Sequence, residues 1–98
     1  MGQIQRRTNI ILGSIGSSRL YTVTTEQLYT ISTGYIAIEV TNLGGNVVYY
    51  GNTNVTTNSG GLLTPSGSKF WDNVSDNFSL YFVSPSGSRV IIQEYAGQ

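Results

Sequence analysis

The chain has 98 residues and no cysteine or histidine, with five Lys or Arg against five Asp or Glu for a net charge of zero. This length holds one core with little surplus, so burial is marginal unless association adds to it. The missing residue types exclude disulfides, thiolate metal sites, thiol nucleophiles and the commonest general base, and a neutral chain has no long-range field to steer nucleic acid or membranes. Ser, Thr, Asn and Gly make up 43 of the 98 residues, so small neutral groups must cover most of the surface. A freely diffusing protein usually carries more charge, which suits a surface partly covered by neighbours as well as a sparsely charged soluble domain.

Met1 to Arg7 is polar and carries the adjacent Arg6 and Arg7. It reads as an N-terminal arm over residues 1–7 that either orders on a partner or simply frays. It lacks the charged, apolar and small-residue order of a secretory signal, and no apolar run approaches the roughly 18 residues that span a bilayer. Residues 8–98 form one domain. Thr8 to Ile15 is β-branched and apolar enough for a first strand, ended by Gly13 to Ser18. Arg19 to Thr25 and Glu26 to Ser32 show short period-2 stretches, with Leu28 opposed to Tyr29 and Ile31.

Tyr35 to Leu43 alternates most clearly: Ile36, Ile38 and Val40 point one way, and Tyr35, Ala37, Glu39 and Thr41 the other. Asn42 to Asn46 makes a hairpin turn whose glycines supply positive φ, and Val47 to Tyr50 returns as the partner strand. From Tyr49 to Pro65 the chain reads as one long structured loop, polar and glycine-rich, with Gly60 and Gly61 open to positive φ and Leu62 and Leu63 as its anchor.

Ser68 to Trp71 is a short strand, Asp72 to Asn77 a polar turn, and Phe78 to Val83 sets Phe78, Leu80 and Phe82 against Ser79, Tyr81 and Val83. Ser84 to Ser88 has the residues of a tight turn, and Arg89 to Tyr95 closes the chain with Val90 and Ile92 on one face. No helical spacing is sustained over ten residues. The expectation is an all-β fold, a small antiparallel β-sandwich or jelly roll of about seven or eight short strands.

Asp72 and Asp76, flanked by Asn73 and Asn77, offer oxygens but lack the spacing of an EF-hand, so a solvated turn is the plainer reading. Five carboxylates without a histidine leave little basis for acid–base catalysis. No enzyme activity and no cofactor are expected. Phe70, Phe78 and Phe82 read as core, whereas Tyr35, Tyr49 and Tyr81 alternate with the core positions and read as interface or ordinary sheet surface. Arg6 and Arg7 stand without a basic stripe, so neither nucleic acid nor a membrane is an expected partner.

Five segments in the second half of the chain carry a resemblance: Tyr50 to Thr56, Gly61 to Gly67, Ser68 to Asp72, Leu80 to Val83 and Val90 to Tyr95. In this order they resemble a family of small all-β virion proteins of tailed bacteriophages. The resemblance implies a non-enzymatic protein that decorates the capsid, forms a short head fibre or sits in the tail, usually as a symmetric oligomer.

The resulting expectation is a capsid decoration or cement protein, made in the host cytoplasm and located in the virion. It would bind itself, as a homotrimer or other ring, and the major capsid protein or another virion protein. Its contacts would be Arg6 and Arg7 in the arm, Asn52, Asn54 and Thr56 in the loop, and Tyr49 and Tyr81 at a subunit interface. The alternative is a carbohydrate-binding or host-adsorption module, with Trp71 and tyrosines stacking on sugar rings and Asn52, Asn54 and Asp72 bonding hydroxyls.

Overall fold

A computed structural model describes residues 12–52 and 60–97. Among these residues there are eight strands and no helix: β1 Leu12–Val23, β2 Gln27–Thr30, β3 Ala37–Asn42, β4 Val48–Gly51, β5 Gly61–Leu63, β6 Ser68–Trp71, β7 Ser79–Val83 and β8 Ser88–Gly97. Pairing is antiparallel throughout. β1 lies on β8, β2 on β7, β3 on β6 and β4 on β5, as in a long hairpin folded back along its length. Two further pairings, β3 with β8 and β4 with β7, roll that hairpin into the sheets β1-β8-β3-β6 and β2-β7-β4-β5. This is the jelly-roll form of the sandwich.

The inner faces meet in one core. Val23, Ile38, Val40, Val90 and Ile92 from the first sheet pack with Tyr29, Val48, Leu63, Leu80 and Phe82 from the second. Each such burial contributes about 1.5–3 kcal/mol relative to exposure. The alternation read in residues 35–43 and 78–83 produces these contacts, with Ile38 and Val40 inward on β3 and Leu80 and Phe82 inward on β7. Phe70 departs from its expected core position and is 42% exposed, because its Cα partner on β3 is the outward-facing Glu39.

Two expected boundaries fail. The stretch Gly13 to Ser18 is not a turn between strands but lies inside the 12-residue β1. Register shifts between Leu12 and Ile15 and between Ile15 and Ser17 take up the extra residues as bulges, which Gly and Ser accommodate at low steric cost. The supposed loop from Tyr49 to Pro65 also holds strand structure, since Tyr49 to Gly51 belong to β4 and Gly61–Leu63 pairs with it as β5. Three residues are too few to show an alternation. Residues 53–59 of that segment lie outside the described residues.

One end of the sandwich is organised by Asn42, which is fully buried. Its Oδ1 accepts from the Gly44 amide at 3.0 Å and the Ser88 hydroxyl at 2.7 Å. Its Nδ2 donates to the Asn46 carbonyl at 2.8 Å and the Leu63 carbonyl at 3.0 Å. All four hydrogen-bonding positions of the side chain are therefore used. The expected positive φ in this turn is not found at Gly44 or Gly45. Gly44 is required by close approach instead, as a Cβ there would lie 2.8 Å from the Arg89 nitrogen and 2.9 Å from the Ser88 Cα.

Replacing Asn42 by Ala should leave the buried Leu63 carbonyl and Ser88 hydroxyl without this partner, at a cost of about 3 kcal/mol measured by urea unfolding. Gly44→Ala should cost about 1–3 kcal/mol by overpacking backbone, while Gly45→Ala, which meets nothing within 4 Å, should change the midpoint little. Equal midpoints for the two glycine variants would contradict this account of the turn.

Candidate functional site

The outward face of the β2-β7-β4-β5 sheet departs from the usual polar exterior of an antiparallel sheet. Register places Leu28, Tyr81 and Gly51 in one row across it, and Val83, Tyr49 and Leu62 in the next. Thr30 and Ser79 complete the face and share a hydroxyl hydrogen bond of 3.0 Å. Leu28 is 45% and Leu62 53% exposed. None of the four strands contains a charged residue. All five charges carried by strands, Arg19, Glu39, Lys69, Arg89 and Glu94, lie on the opposite sheet. The two exposed leucines stand on the edge strands with the half-buried Tyr81, Tyr49 and Val83 between them, which makes this face the candidate interaction surface.

Of the residues singled out in the sequence, Tyr49 and Tyr81 come together on this face, on the adjacent strands β4 and β7. Asn52 follows directly after β4 and is exposed. Arg6, Arg7, Asn54 and Thr56 lie outside the described residues. Sequence reasoning missed Leu28 and Leu62, although each sits one position from a buried neighbour, Tyr29 and Leu63, and must therefore point outward. Beside Tyr49, at the end of the face, is a shallow cavity of about 280 Å³ lined by Asn46, Val47, Tyr49, Pro85 and Ser86.

Trp71 is not placed as a free stacking platform. It is half-buried on the core side of β6, with the Tyr50 ring edge-on at 5.3 Å and Phe78 at 6.3 Å. The Lys69 ammonium stands 5.3 Å from its ring centre. Tyr35 likewise packs against the core cluster instead of joining Tyr49 and Tyr81 on the outward face.

The chain also holds a buried ionic cluster. Glu94 extends the inward series Val90, Ile92, Glu94 and is fully buried. Its Oε2 accepts from the Tyr29 hydroxyl at 2.7 Å, the Ser32 amide at 2.9 Å and Arg19 at 3.1 Å. Arg19 also donates to the Tyr21 hydroxyl at 3.2 Å, the Thr30 carbonyl at 3.1 Å and the Ser32 hydroxyl, and its guanidinium lies 5.1 Å from the centre of the Tyr29 ring.

Burial pushes the Glu94 carboxyl up, but the bonds from Tyr29 and Ser32 outweigh it and hold the group below its ordinary value. Burial, reinforced by the bond to Glu94, pushes the Tyr29 phenol well above its usual range. A carboxylate locked as an acceptor and a phenol locked as a donor do not exchange protons near neutral pH, so the cluster has the character of a structural clamp. Among the described residues, no three acidic side chains converge as a metal site. The chain matches no protein-family model, no curated protein and no solved structure.

A carboxyl whose folded pKa is depressed adds stability above its unfolded value, and that stability is lost as pH falls through the folded value. With an ordinary Glu near 4.5, the Glu94 contribution should be fully present at neutral pH and decline below about pH 4.5. Urea midpoints measured across this range should fall, and Glu94→Gln should remove that part of the slope while lowering stability at pH 7 by about 2–4 kcal/mol. An unchanged acid slope in the variant would show that Glu94 does not carry it.

Proposed function

We propose that this chain is a structural protein of a tailed-bacteriophage virion, of the capsid decoration type, which binds the capsid lattice as a symmetric oligomer and acts by contact without catalysis. The observation that carries the reading is the uncharged, exposed face of β2-β7-β4-β5, where Tyr49 and Tyr81 stand between Leu28 and Leu62. Large rigid side chains with polar tips are the residue type that protein interfaces favour. The resemblance of residues 50–95 to small virion proteins supports the same reading. A lattice repeats one contact many times, so a modest individual affinity suffices for stable attachment.

A second reading, host adsorption through a glycan, is favoured by the cavity beside Tyr49, where one tyrosine adjoins the polar Asn46 and Ser86. Particles purified from a lysate of the encoding phage should contain the chain at a fixed copy number per capsid by quantitative mass spectrometry, and purified protein should co-sediment with capsids lacking it. Absence from the particles would sink the virion reading. Saturable binding on a glycan array, lost in Tyr49→Ala, would put the adsorption reading in its place.

A further inference from the structure

The uncharged face identifies its own occupant. We infer that it packs against the same face of a second copy of this chain, about a two-fold axis. In such a contact one patch serves both partners, and residues near the axis meet their own copies. A charge there would meet a like charge, which costs several kcal/mol where water is excluded.

The two outward sheet faces differ on this point. On β1-β8-β3-β6 the exposed Leu20 and Phe70 share the surface with Glu39 and Arg89, and Glu39 lies in the middle of the sheet, between Gln93 and Phe70. Two such faces brought together would oppose carboxylate to carboxylate and guanidinium to guanidinium. On β2-β7-β4-β5 the strands carry no charge, and the nearest carboxylate, Glu26, precedes β2 at the edge of the sheet, so self-packing of the strands opposes apolar side chains, hydroxyls and the two tyrosines. The charged face suits an unlike partner, and the neutral one a copy of itself.

Size sets the strength of the contact. Four strands about 4.8 Å apart and three to five residues long make a face of roughly 19 Å by 14 Å, about 260 Å² in projection. A standard interface takes about 800 Å² per partner, so this pair falls in the weak, concentration-dependent class, with a dissociation constant between roughly 10 μM and 1 mM. The two-fold contact is a different arrangement from a three-membered ring. The inference rests on the proposed function only for the premise that the protein associates. A chain that pairs through this face yet is absent from particles would overturn the virion reading and leave the pairing intact.

Light scattering behind a sizing column should show the mass rising from one chain to two as the protein is concentrated to about 2 mM. The double variants Leu28→Lys with Leu62→Lys and Leu28→Glu with Leu62→Glu should each weaken pairing at least tenfold. An equimolar mixture of the two should restore it, because either strand orientation about the two-fold axis brings a lysine to a glutamate. Phe70→Lys on the other sheet should leave pairing unchanged. Both leucines are about half exposed, so the variants keep the core, which circular dichroism would verify. As a check independent of any substitution, amide resonances of Leu28, Tyr81 and Leu62 in the unaltered chain should shift with concentration while that of Leu20 stays fixed. A wild-type monomer at every concentration, a trimer, or pairing that survives both double variants would overturn the inference.

Discussion

Asn42 is the side chain on which the placement of the exposed face depends. Its carboxamide joins the β3–β4 turn, through Gly44 and Asn46, to the Leu63 carbonyl at the end of β5 and to Ser88 at the start of β8. Its backbone adds bonds to Gly67 and Ser66 in the β5–β6 turn. Three turns that come from distant parts of the chain are thus held by one residue. No other side chain of this size offers two donors and two acceptors in one plane. The row Val83, Tyr49 and Leu62 is anchored from this end, because Val48 and Leu63, neighbours of Tyr49 and Leu62, are drawn inward beside Asn42 and leave the other two facing out.

Glu94 has the complementary role further along the same two strands. On β3 and β8 the pairs Asn42 with Val90 and Ile38 with Glu94 are four residues apart, with Val40 and Ile92 between them. The core therefore has a polar hub at each end of an apolar centre. Slipping β8 by one residue would turn Val90, Ile92 and Glu94 outward together, losing the apolar burial and both hubs at once. Buried polar groups of this kind add little net stability compared with well-packed apolar residues, but they make wrong registers expensive. In a domain of 98 residues with bulges in its longest strand, that discrimination has an evident use.

The alternation of Ile36 to Val40 and of Phe78 to Phe82 was enough to read strands and core faces from the sequence, and the second of these put Tyr81 on the exterior. Other features were hidden for physical reasons. Gly13 to Ser18 has turn composition, yet a bulged strand uses the same small residues, and only the partner β8 distinguishes the two. Gly61–Leu63 is too short to carry a period. Glu94 continues the inward series of Val90 and Ile92, but a carboxylate is ordinarily read as exposed unless its partners are known, and Arg19 and Tyr29 are 75 and 65 residues away in sequence. The exposed face was only half legible because Leu28 and Leu62 are apolar residues on the solvent side, where patterning expects polar ones.

Net neutrality conceals a strong asymmetry. Every strand charge is on one sheet, and two of the five pair with each other, Arg19 from the half-buried rim and Glu94 from the interior. Glu39 and Arg89 remain on the outward face of that sheet, while Lys69 lies over Trp71 at its β6 edge, so approach there depends on the partner's own charges. The opposite side has no such selectivity by charge. A partner there would be selected by shape and by the hydroxyls of Tyr49 and Tyr81, which an apolar neighbour would leave without partners when water is expelled. Two dissimilar faces on one small sandwich allow two kinds of contact at once. A component that must join both copies of itself and an unlike surface needs that separation, since one face serving both purposes would be occupied by whichever partner arrived first.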